Sequence, residues 1–125
     1  MKNKFKSIFS KRIARIALNT GGCTVDNLGR APISGYVIGG IANDRVLNTT
    51  DWETLSIAIA EYAKDNKCWL QSGFFLGVWI HEGKTYLDIC SVSHTDKSSA
   101  IFLGETLKQD FIYHIDSDTL INCKV

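Results

Sequence analysis

The fold is read from Phe74-Phe75-Leu76-Gly77-Val78-Trp79-Ile80, the pair Glu82-Gly83, and Thr85-Tyr86-Leu87-Asp88-Ile89-Cys90-Ser91-Val92. Two runs rich in apolar, aromatic and β-branched residues flank a short polar turn that carries glycine. That pattern predicts a β-hairpin. Upstream, Trp52, Leu55, Ile59, Tyr62 and Ala63 recur at three- and four-residue steps, which predicts a helix over residues 51–65. Thr50-Asp51-Trp52-Glu53 before it has the spacing of a capping box, with Thr50 as N-cap and Glu53 reaching back. Downstream, Thr95-Asp96-Lys97 opens a second helix, with Ala100, Leu103 and Leu107 on its inner side and Ile101 a further candidate for it.

Further outward, short strand patterns lie at residues 23–26, 34–40, 45–48, 111–115 and 119–123, separated by turn chemistry such as Asn27-Leu28-Gly29-Arg30-Ala31-Pro32 and Asp116-Ser117-Asp118. The order is ββ(β)αββαββ. It predicts an α+β fold, an antiparallel sheet of about six strands with two helices on one face. There is no repeat, linker or low-complexity stretch, so residues 21–125 read as one domain preceded by a basic arm or helix over residues 1–20.

The chain has 125 residues, enough for one domain with its own core. With 22% charged and 45% apolar residues it is neither disordered nor collagen-like, and no apolar run is long enough to span a membrane. The net charge of +1 conceals an asymmetry. Lys2, Lys4, Lys6, Lys11, Arg12 and Arg15 fall in the first twenty residues with no acid among them. That leaves eight basic against 13 acidic side chains elsewhere, a balance of −5. An acidic body does not attract nucleic acid, whereas the arm would. Phe5, Ile8, Phe9, Ile13 and Ile16 give the arm one apolar stripe if it is helical. Such a stripe docks a terminal helix on its own domain or offers it to a partner, and docking is the commoner outcome. No signal-peptide core is present, and a cytoplasmic protein is expected.

Cys23, Cys68, Cys90 and Cys123 are widely separated and read as four unpaired core thiols. No zinc-knuckle spacing, calcium loop, phosphate-binding glycine motif or nucleophile elbow occurs, so no metal, cofactor or enzymatic activity is expected. Asp88, Cys90 and His94 share one strand face and sketch a thiol site. However, four residues of strand put Cys90 and His94 about 13 Å apart, beyond the reach of a base.

Trp52 and Trp79 sit in periodic apolar runs and read as core, whereas Trp69 follows the end of a helix and reads either as a plug at the end of the helix–sheet core or as a partly exposed anchor for a partner. Asp44, Asp51, Glu53, Asp65, Asp110, Asp116 and Asp118 read as surface acids, the last two also as turn formers.

The blocks Gly35-Tyr36-Val37-Ile38-Gly39, Leu76-Gly77-Val78-Trp79 and Gly83-Lys84-Thr85-Tyr86-Leu87-Asp88, followed by Ala100 and Ile112 to Ile121, resemble a group of small uncharacterised phage and plasmid proteins. The likeness spans about residues 20–123 and rests mostly on turn glycines and aromatics. Cys90 departs from it, and the basic arm has no counterpart. The resemblance implies a mobile-element accessory protein and carries over Tyr86 and Asp88 as site or structural residues. It brings no established activity with it.

The expectation is therefore a non-catalytic protein-binding module that inhibits a host defence or nucleic-acid-handling protein. Trp69, Tyr86, Asp88, Asp116 and Asp118 would meet the partner. The alternative is nucleic-acid binding through Lys2, Lys4, Lys6, Lys11, Arg12 and Arg15. Pairing of two copies through an open sheet edge is a further expectation.

Overall fold

The computed structural model describes residues 7–124. The hairpin forms as expected, from β4 (Phe75–His81) and β5 (Lys84–Ser93), with His81 opposite Lys84. Its two-residue turn takes positive φ at both positions, 50° at Glu82 and 75° at Gly83, which suits the twist of the strands it joins. β5 is the spine of the sheet. One side pairs with β4 along seven residues. The other side is shared, β3 (Arg45–Leu47) lying against Leu87 to Thr85 and β2 (Tyr36–Ile38) against Ser93 to Ser91. β1 (Gly22–Val25) flanks β4, while β6 (Phe111–His114) and β7 (Thr119–Asn122) follow β2. All pairings are antiparallel, and the path runs β1-β4-β5-β2-β6-β7. This is the expected α+β class, with seven strands.

Strand alternation sorts the side chains. Leu76 and Val78 of β4 and Leu87 and Ile89 of β5 turn to one face. There they are buried with Leu55, Ile59 and Tyr62 of α2 (Trp52–Asp65) and Ile13, Ala14 and Ala17 of α1 (Ser7–Thr20). A second cluster of Ile38, Ala100, Ile112 and Cys123 lies under α4 (Lys97–Thr106). Ile38 is opposite Ser91, which shares the face of Ile89, so α4 packs on the same side as α1 and α2. Among the described residues no helix packs on the opposite face.

The described residues contain four helices where two were expected. The first extra one is α1, whose apolar stripe docks on the domain, but along a different line from the expected one. Ser10, Ile13, Ala14 and Ala17 are buried and Phe9 packs against the core, whereas Ile16 is 40% exposed. Small residues win that face because they let α1 approach α2 closely. Phe5 and the side chain of Ile8 lie outside the described residues. The other addition is α3 (Lys67–Gln71), a short turn of helix that restarts at Asn66 and buries Leu70.

The cap of α2 also differs from expectation. Asp51 rather than Thr50 is the N-cap, its carboxylate accepting from the backbone N–H (3.0 Å) and hydroxyl (2.8 Å) of Thr54. A carboxylate gains from the positive end of the helix dipole, and Thr54 supplies the donors the box assigned elsewhere.

Candidate functional site on the helix-free face

On the helix-free face, the alternation that buries Leu76 and Val78 turns Gly77, Trp79 and His81 outward, opposite Asp88, Tyr86 and Lys84 of β5. Trp79 is 41% exposed, and it is not the core residue expected from its apolar neighbours. Its indole lies 5.8 Å from the Tyr86 ring and stacks at 5.3 Å on His81, forming an aromatic row along the strand pair. By the same alternation Tyr113 and Leu120, which oppose each other across β6 and β7, fall on this face beyond Val37. Leu120 is 52% exposed, and Phe111 on the same face of β6 is 43% exposed.

These parts meet in a cleft of about 790 Å³, bordered by Gly22 to Thr24 of β1, Trp79 of β4, Tyr113, Leu120 and the loop residues Ala31 and Pro32. β1 and β7 are the two ends of the strand path, yet both border this one cleft. The sheet is therefore curled so that its first and last strands approach one space, and neither has a further strand partner among the described residues. Asp118 is the only charged side chain among the described residues lining it. The Tyr113 hydroxyl donates to Asp118 Oδ1 at 2.6 Å, and this bond to the phenol O–H pushes the tyrosine pKa up.

The other residues expected at a site are placed as follows. Tyr86 joins the aromatic row. Asp116 ties the turn between β6 and β7 to the start of β2, its carboxylate accepting from the Gly35 N–H at 2.8 Å, which holds its pKa down. Trp69 is 42% exposed on α3, with its ring edge-on to Phe74, and it does not border the cleft. The seven surface acids are all exposed. They do not gather into one patch, because Asp51 and Asp65 stand at opposite ends of α2, about 20 Å apart at helical rise. Asp65 pairs with Arg45 and Asp110 with Lys124.

Asp88 sits where β3 has left β5 and β2 has not yet begun. Its carboxylate accepts from the Gly40 N–H at 3.1 Å, and a Cβ on Gly39 would collide with it. Burial pushes its pKa up to about 6. The Gly40 and Ile89 N–H groups oppose that shift, and the charge of Asp44 adds to it. The ionised form is thus the less stable one in the fold. Its cost is absent below about pH 3, grows as pH rises through the ordinary aspartate range toward 6, and is fully present by about pH 7. Asp88→Asn keeps an acceptor for Gly40 and removes the charge. The variant should gain about 1 kcal/mol over the parent at pH 7.5, allowing for solvent access. At about pH 3, below both pKa values, the two should match. Urea midpoints of both proteins across this range check the sign, and a variant less stable at pH 7.5 contradicts it.

Cys90 is buried, and burial together with the nearby Asp88 charge pushes its thiol pKa up, away from the thiolate form. His94 is exposed at the far end of β5, and no hydrogen bond joins it to Cys90. Among the four thiols, Cys90 and Cys123 are buried and Cys23 is half-buried. Cys68, expected in the core, is exposed on the outer side of the short α3. No described group of three or more His, Cys, Asp or Glu is placed to hold a metal ion. No described helix is long and apolar enough to cross a membrane. Of the basic residues in the first twenty, Lys11, Arg12 and Arg15 are exposed on α1, with Arg15 lying over the Trp52 ring. Lys2, Lys4 and Lys6 lie outside the described residues.

Compared with known proteins, the chain matches no family model, no curated protein and no solved structure.

Proposed function

We propose that this chain is a non-catalytic protein-binding module that seats an extended segment of a partner protein on the helix-free face of its sheet. One observation carries this reading. Trp79, Phe111 and Leu120, each more than two fifths exposed, share a face that no helix covers, around a cleft bordered by both strand edges. Exposed aromatic side chains beside unpaired strand edges are the usual elements of strand-addition recognition. Membership of the phage and plasmid accessory proteins that the sequence resembles, with a host protein as target, belongs to the same proposal. Mimicry of nucleic-acid phosphates by the acids has less support, since those acids are spread over the surface.

The test is partner recovery from a host-like lysate with the parent chain, with Trp79→Ser/Leu120→Ser, and with Ile57→Ser on the exposed side of α2. The open-face double variant should lose the partner by at least about tenfold, as interface anchors do, and Ile57→Ser should retain it. Equal recovery by the double variant overturns the reading.

A second reading is favoured by Lys11, Arg12 and Arg15, which are exposed on a helix without acids and form no ion pair among the described residues. Nucleic-acid binding through them should fall steeply with salt. Deleting residues 1–16 would remove Ile13 and Ala14 from the core, so the clean test is Lys11→Gln/Arg12→Gln/Arg15→Gln. Unchanged affinity of that variant for a labelled duplex overturns this reading.

A further inference from the structure

We infer that the cleft selects its occupant by charge: an extended apolar segment presenting one lysine or arginine, whose cation is held between Asp118 and the Trp79 indole. The inference rests on the docking reading of this face and adds the chemistry of what docks there. Three observations carry it.

The first is the lining. Asp118 is the only charged residue among the described residues bordering the cleft, and the rest of the wall is apolar, aromatic or neutral. A partner carboxylate would meet a like charge there, and a purely apolar segment would leave Asp118 facing it without a counter-charge.

The second is the state of the Asp118 carboxylate. It receives one hydrogen bond, from Tyr113, and makes no ion pair among the described residues. It therefore retains acceptor capacity for a cation.

The third is the surroundings. The exposed Trp79 indole borders the same cleft, and an indole attracts a guanidinium or ammonium group. The unpaired edges of β1 and β7 on either side offer backbone donors and acceptors to a chain laid between them in extended form. The volume, about 790 Å³, accommodates a few side chains of such a segment.

The experiment is selection from a random twelve-residue peptide library displayed on phage, against the immobilised full chain and against its Asp118→Asn variant. Asn keeps the acceptor for Tyr113 and tolerates the positive φ of 49° at this position, so the fold is preserved. Winning peptides are resynthesised with their basic residue and with norleucine in its place. Binding is followed through the Trp79 indole N–H in nuclear magnetic resonance spectra.

The parent should enrich one Lys or Arg among apolar residues, and binding should shift the Trp79 resonance. Asp118→Asn should weaken the basic peptide about tenfold while leaving its norleucine analogue unchanged. If winners shift Trp79 without basic preference, or if Asp118→Asn weakens both peptides alike, the charge selection is overturned and the docking face stands. If no peptide shifts Trp79, both are overturned.

Discussion

Leu87→Ala should lower the stability of this protein by about 3–4 kcal/mol, as expected for emptying a fully buried leucine site in a packed interior. Leu87 is completely buried at the centre of β5, opposite Val78 on one side and Arg45 on the other. It lies in the cluster that α1 and α2 cover, so contacts within the sheet and with the helix layer are lost with one side chain. Little can collapse into the gap, because the flanking strands are tied to β5 by backbone hydrogen bonds. The check is denaturant unfolding, with the midpoint falling and the slope unchanged. A loss below about 1 kcal/mol would contradict the position of β5 at the centre of the sheet.

Gly104→Ala should destabilise by about 2 kcal/mol, although the same change in an exposed helix interior stabilises by nearly 1 kcal/mol. The sign is reversed by packing. A Cβ at this position would stand 2.7 Å from Cys123 Sγ and 2.8 Å from Ile112 Cγ2, so α4 would have to lift from β6 and β7. Cys123→Ala removes one of the two obstructing atoms and should recover part of the loss in the double variant. Comparing the double variant with the sum of the singles measures that coupling. A stabilising Gly104→Ala would show that α4 does not lie this close to the sheet.

Much of the fold was legible from residue order because its signals are local. Glu82-Gly83 between two apolar runs specifies a tight hairpin. The three- and four-residue spacing of Trp52, Leu55, Ile59 and Tyr62 specifies α2. Strand neighbours were not legible, since β2 lies between β5 and β6 through contacts made far apart in sequence. The apolar stripe of α1 predicts a different docked face, because a hydrophobicity pattern follows apolar size. Close approach favours Ser10, Ala14 and Ala17, which a hydrophobicity pattern underrates.

The site was harder to read. Sequence points to Tyr86, Asp88 and Asp118, whereas the apolar neighbours of Trp79 point to the core. The period of two held the correction, because a strand that buries Leu76 and Val78 must turn Trp79 the other way. The cleft itself was beyond sequence reach. It exists because β1 and β7, nearly a hundred residues apart, border one space.

Site-specific photo-crosslinking tests the docking face most directly. A benzophenone amino acid replaces Leu120 on the open face, or Ile57 on α2, in the otherwise unchanged chain. Both positions are exposed, and neither side chain is part of the core. If the open face seats a partner segment, the Leu120 position yields one discrete crosslinked protein, attached through a single segment, and the Ile57 position does not. Equal crosslinking from both positions, or crosslinking from Ile57 alone, would contradict a docking function for this face.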